Sequence, residues 1–116
     1  MKITTIRKKS IDVICNGVKL TFDVPNVTQV KVNESGNLAV LYSQTKGLMV
    51  IDVKTECLIP IENPYDCKFY TFQPNPVLPP LCISVVMAHV DTEELFWQHG
   101  IDMQNRCLTG IKFGWR

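Results

Sequence analysis

The sequence predicts an all-β fold made of antiparallel meanders, and three observations carry that prediction. Apolar and polar side chains alternate over short runs, while the spacing of an amphipathic helix is almost nowhere found. Turn-forming pairs recur along the whole chain, from Asn16-Gly17 to Gln104-Asn105. The segment from Ile51 to Ile61 also repeats in the segment from Ile101 to Ile111. At 116 residues the chain has the size of one domain. With 46% hydrophobic and 20% charged residues it is not the composition of a disordered chain.

The clearest element is a hairpin over 11–24. Asn16 and Gly17 both tolerate positive φ, as a type I′ turn requires. Folding there places Cys15 opposite Val18, Val13 opposite Leu20 and Ile11 opposite Phe22 on one apolar face. Asp12, Lys19, Thr21 and Asp23 then share the other face, expected to be wet. The residues before it, with Lys2, Arg7, Lys8 and Lys9, read as a short basic arm.

A four-stranded meander is expected over 27–62. Its strands are Val27 to Asn33, Leu38 to Ser43, Leu48 to Val53 and Cys57 to Ile61, with Pro60 marking an edge. A second meander is expected over 67–115, with strands at Cys67 to Gln73, Leu81 to Val90, Leu95 to Asp102 and Cys107 to Trp115. Between its first two strands lie Pro74, Pro76, Pro79 and Pro80, which predict a stiff extended connection. Asp91 to Glu94 is expected to turn. The predicted architecture is two four-stranded sheets packed face to face, plus the hairpin, in a single domain over 1–116.

The repeat ties the two meanders together. Ile51-Asp52 aligns with Ile101-Asp102, Cys57-Leu58 with Cys107-Leu108 and Ile61 with Ile111, five matches in eleven positions. In each copy a strand ends on an aspartate whose carboxylate can accept turn amide protons, and the next strand opens on Cys-Leu. Asp52 and Asp102 therefore read as turn residues. The pattern resembles a β-propeller blade, in which an Ile-Asp end, a polar turn and a hydrophobic strand join the third and fourth strands. The sequence departs from that family in lacking Gly-His and Trp-Asp pairs. Two blades also fall short of the roughly four to eight that close a ring.

The motifs of catalysis and cofactor binding are missing from the sequence. There is no phosphate loop, GxGxxG, nucleophile elbow or HExxH, and no cofactor is expected. Cys15, Cys57, Cys67, Cys82 and Cys107 are odd in number and contain no CxxC pair, so they read as small buried apolar residues in a reducing cytoplasm. His89 reads as a half-buried ring bonded to backbone. A nucleophilic set of Cys82, His89 and Asp91, or a metal set of Cys82, His89 and His99, can be drawn but has no supporting spacing.

Charge placement says more than the net charge of +1. Between Val50 and Asn105 eight acids face two bases, a net of −6. Such a patch would attract a basic partner. Asp66, Asp91, Glu93 and Glu94, with Trp97 and His99 beside them, are the candidate contact residues. Trp97, His99 and Ile101 share one side of their strand. Packing is the alternative reading for His99. Nucleic acid and membrane partners are not expected, since no basic stripe or long apolar segment is present. By type, a small cytoplasmic all-β chain with an acidic face is similar to bacterial immunity proteins of contact-dependent inhibition and related polymorphic toxin systems. That resemblance implies one-to-one binding to a basic toxin domain such as a nuclease. Self-association of blade-like units is the alternative, and a small ligand-binding protein or enzyme with a pocket near Cys82 and His89 is the third reading.

Overall fold

The computed structural model describes residues 1–65, 67–79, 81–89 and 96–114, with 110–114 described in backbone only. All its regular structure is β: eleven strands and no helix among the described residues. No helix is long and apolar enough to cross a membrane. The strands form three antiparallel sheets of three, four and four strands, as the alternation predicts, and the chain divides into two compact units, Met1–Pro60 and Ile61–Arg116.

The first unit holds two sheets. Strands β1 (Lys2–Ile6), β2 (Ile11–Cys15) and β3 (Val18–Phe22) form the smaller one. Asn16 and Gly17 take φ of 51° and 76°, and the predicted pairs Ile11 with Phe22, Val13 with Leu20 and Cys15 with Val18 are all formed. The expected basic arm is instead strand β1. It pairs Ile3 with Val13 and Ile6 with Ile11, and Ile3 packs against the core that the hairpin's apolar face builds.

The expected wet face is also only partly wet. Asp12 is 1% exposed. Its carboxylate accepts from Thr21 Oγ1 at 2.8 Å and from Arg7 at 2.5 Å, with Lys19 at 3.5 Å. A buried carboxylate needs such partners.

The larger sheet of this unit is a meander of β4 (Val27–Val32), β5 (Leu38–Ser43), β6 (Gly47–Asp52) and β7 (Cys57–Pro60). Pro60 lies on the edge strand, where a missing N–H breaks no inner ladder. Ile11, Val13, Phe22, Val24, Val27, Ala39, Leu41 and Ile51 form one core between the two sheets. Its turns are held by buried polar side chains. Asn33 Oδ1 accepts from the amides of Asn37 and Leu38, each at 3.1 Å. Ser43 Oγ donates to Pro25 O at 2.5 Å and accepts from the amides of Thr45 and Lys46 at 3.2 and 3.0 Å.

The second unit is the other meander: β8 (Cys67–Pro74), β9 (Ile83–His89), β10 (Phe96–Asp102) and β11 (Cys107–Gly114), each paired with the next. The proline-rich connection is not extended. Strand β8 runs through Pro74, paired with Ile83, and the chain then turns tightly. The Cys82 amide bonds Leu78 O at 2.9 Å, and the Asn75 amide bonds Cys82 O at 2.8 Å. Cys82 takes a φ of 55°, so β9 starts two residues later than predicted. The turn expected at Asp91 to Glu94 lies outside the described residues.

The repeated turn is the same in both meanders. Asp52 Oδ1 accepts from the Lys54 amide at 3.0 Å. Asp102 Oδ1 accepts from the amides of Gln104 and Asn105 at 3.0 and 3.1 Å. Glu56 and Arg106, the residues before each Cys-Leu, take φ of 56° and 55°.

Candidate functional site

The densest group of chemically versatile side chains lies on one face of the second unit's sheet. Cys67 on β8 is the cross-strand partner of His89 on β9. His99 on β10 pairs with Val85, which shares the face of His89 because strand side chains alternate. Three adjacent strands thus send a thiol and two imidazoles to one place. Their ligand atoms all lie within 4.8 Å of one another. The rings of His89 and His99 are nearly parallel, with planes 15° and centroids 5.0 Å apart, and they meet edge to edge through their Nε2 atoms, 2.8 Å apart.

The surroundings fix this arrangement. His99 Nδ1 lies 2.9 Å from the carbonyl oxygen of Thr109, and Thr109 Oγ1 accepts from the Gly100 amide at 3.1 Å. A Cβ at Gly100 would stand 3.3 Å from Leu78 and 3.4 Å from Thr109 Oγ1, so glycine is what lets the backbone next to His99 come this close. The Tyr65 ring lies 5.3 Å from that of His99. Asn63 organises the entry to β8. Its Oδ1 accepts from the Tyr65 amide at 3.1 Å, its Nδ2 donates to Cys67 O at 3.2 Å, and the Cys67 thiol is 3.6 Å from its Oδ1. His89 and His99 are buried, and Cys67 is half-buried.

The sequence-predicted contact residues fall differently. Trp97 is half-buried on β10. His99 is only 1% exposed, so its ring belongs to the interior cluster and not to an exposed contact surface. Its partners on β9 and β11 account for this: an imidazole bonded on both nitrogens is satisfied inside. Asp66, Asp91, Glu93 and Glu94 lie outside the described residues, as does Asp91 of the imagined nucleophilic set. Cys82 sits in the turn before β9 with its thiol 4.0 Å from Pro76 O, and the cysteine beside the histidines is Cys67. The expectation of buried cysteines is corrected too. None of the five is in a disulfide, four are half-buried, and Cys57 is exposed.

Two carboxylates have acid strengths set by their surroundings. Asp12 is held below the usual carboxylate range chiefly by the hydrogen bond from Thr21. Burial opposes this, and Arg7 and Lys19 reinforce it. Asp102 is lowered mainly by the Asn105 side chain and then by the Asn105 amide, against burial. Both act as structural anchors of their strands.

No protein-family model, curated protein or solved structure matches this chain.

Proposed function

We infer that the chain is a non-catalytic protein-binding domain that works through its exterior. The observation that carries this reading is how the interior polar groups are used. Among the described residues, every buried side-chain nitrogen and oxygen has a hydrogen-bond partner. For Asp12, Asn33, Ser43 and Ser84 those partners are strands and turns of the same sheets. Polar groups committed to the fold support a scaffold role.

In its specific form, the reading is that of an immunity protein. The chain would bind a basic bacterial toxin domain, such as a nuclease, one to one in the cytoplasm and neutralise it. The excess of acids between Val50 and Asn105 supports a basic partner. Tyr70, 49% exposed, with its ring 4.8 Å from that of Phe96, supplies an aromatic anchor of the kind that dominates interface energy. Five free thiols suit a reducing compartment.

The reading expects the gene beside this chain's own to encode a large secreted protein with a variable, toxic C-terminal domain, and the test is co-production with that domain. Restored growth and a one-to-one complex are expected. Unrelieved toxicity with no complex rejects the reading.

A second reading, self-association of blade-like units, is favoured by one observation: the matched turns at Asp52 and Asp102, with the same φ at Glu56 and Arg106. Light scattering separates the two readings, since assembly requires a stable oligomer of this chain alone.

A further inference from the structure

We propose that Cys67, His89 and His99 form a binding site for a single divalent ion of the zinc class, ligated by the Cys67 thiolate and the Nε2 atoms of the two histidines. The three come from neighbouring strands on one face, and their ligand atoms lie within 4.8 Å of one another. Zinc bonds of about 2.0–2.1 Å to nitrogen and 2.3 Å to sulfur put tetrahedral ligand atoms roughly 3.3–3.6 Å apart. The two Nε2 atoms, now 2.8 Å apart, need to part by about half an ångström, with the rings tilting so that both lone pairs converge on the ion. The Cys67 sulfur, within 4.8 Å of both nitrogens, closes by up to about 1.2 Å to reach its own place in the shell.

The hydrogen-bond pattern at His99 points the same way. The Thr109 carbonyl oxygen can only accept, so His99 Nδ1 carries the hydrogen and Nε2 presents its lone pair to the cluster. A ring nitrogen bonded to a backbone carbonyl, with the other nitrogen facing inward, is the outer support that metal-ligating histidines commonly have. With both rings neutral and His99 Nδ1 carrying its hydrogen, His89 Nε2–H is the donor to His99 Nε2 across the 2.8 Å contact. The ion replaces that shared hydrogen. His89 keeps one proton, moved to Nδ1, and Cys67 loses its thiol proton to solvent, so one proton is released per ion bound.

One thiolate and two imidazoles suit zinc and its neighbours, whereas calcium and magnesium take oxygen ligands. Three protein ligands leave the fourth tetrahedral position to solvent or to a group from a partner. The proposal does not depend on the toxin-binding reading.

The experiment is a titration of the reduced, tag-free full chain with Co2+ and then Zn2+. A thiolate-to-cobalt charge-transfer band and tetrahedral ligand-field bands should saturate at one ion per chain and be bleached by one equivalent of zinc. Cys67→Ser should abolish the charge-transfer band and weaken zinc binding by at least about 100-fold, the upper end of the loss seen for outer-shell changes alone. Cys57→Ser and Cys82→Ser should keep both properties. X-ray absorption of the zinc-loaded wild-type chain, which needs no variant to fold, should show one sulfur and two imidazole nitrogens. Aquo-cobalt absorption throughout, a charge-transfer band that survives Cys67→Ser, or a zinc shell without sulfur overturns the proposal.

Discussion

The buried histidine pair makes a prediction that can be worked through from its contacts. Replacing His99 with leucine keeps the side-chain volume roughly constant but removes two bonded groups at once. Nε2 faces His89 at 2.8 Å, and Nδ1 faces Thr109 O at 2.9 Å. Each buried polar group that loses its partner costs about 1–3 kcal/mol. His99→Leu should therefore destabilise the second unit by about 2–6 kcal/mol. His89→Leu takes one partner from His99 and leaves the Thr109 contact in place, so it should cost about 1–3 kcal/mol. In the double variant no Nε2 remains to be left without its neighbour, while the Thr109 carbonyl has still lost its bond to His99. The double variant should thus cost less than the sum of the singles, with a coupling of at least about 2 kcal/mol. Urea unfolding with a chelator present, followed by tryptophan fluorescence, measures all four corners of the cycle. Trp97 lies on the same strand as His99 and reports on it. Additivity within about 0.5 kcal/mol would refute the reasoning, because it would mean that the 2.8 Å contact carries no energy.

Two further outcomes follow from the first unit. Ser43→Ala removes three hydrogen bonds from a fully buried hydroxyl. It should cost about 1–3 kcal/mol and speed exchange of the Thr45 and Lys46 amides, whereas Ser35→Ala on the exposed turn should do neither. The Asp12 carboxyl is lowered below its unfolded value, so its contribution is present above about pH 4 and lost as pH falls through the lower folded value. Asp12→Asn should flatten that acid limb of melting temperature against pH, and an unchanged limb would show that other carboxylates set it.

The parts of the fold that could be read in the sequence are those written in local chemistry. Asn16-Gly17 sets the register of β2 and β3 because both φ angles are positive. The aspartates at 52 and 102 announce their turns because carboxylates accept nearby amides. What escaped was set by pairing at a distance. Strand β1 carries only two isoleucines among charged and polar neighbours, and its strand character shows only once β2 lies beside it. Asp12 looks like a solvent-face residue until β1 and Arg7 cover it.

The Cys67 cluster was hidden for the same reason. Parity along β9 and β10 puts His89 and His99 on definable faces. The partner of His89, however, depends on the tight turn at Cys82 and on the register shift between Phe69 and Thr71. Neither has a sequence signature, so the sets that can be drawn from the sequence contain Cys82, which is nearer to His89 along the chain, and not Cys67. The candidate contact surface was legible only as charge, since four of its acids lie outside the described residues.

Association kinetics with the cognate toxin domain, measured across a range of salt concentrations, test the central claim most directly. The account predicts a one-to-one complex whose on-rate falls steeply as salt rises and is further lowered by the paired reversal Glu93→Lys and Glu94→Lys. No complex with that domain, or an on-rate indifferent to both salt and the reversal, would contradict it.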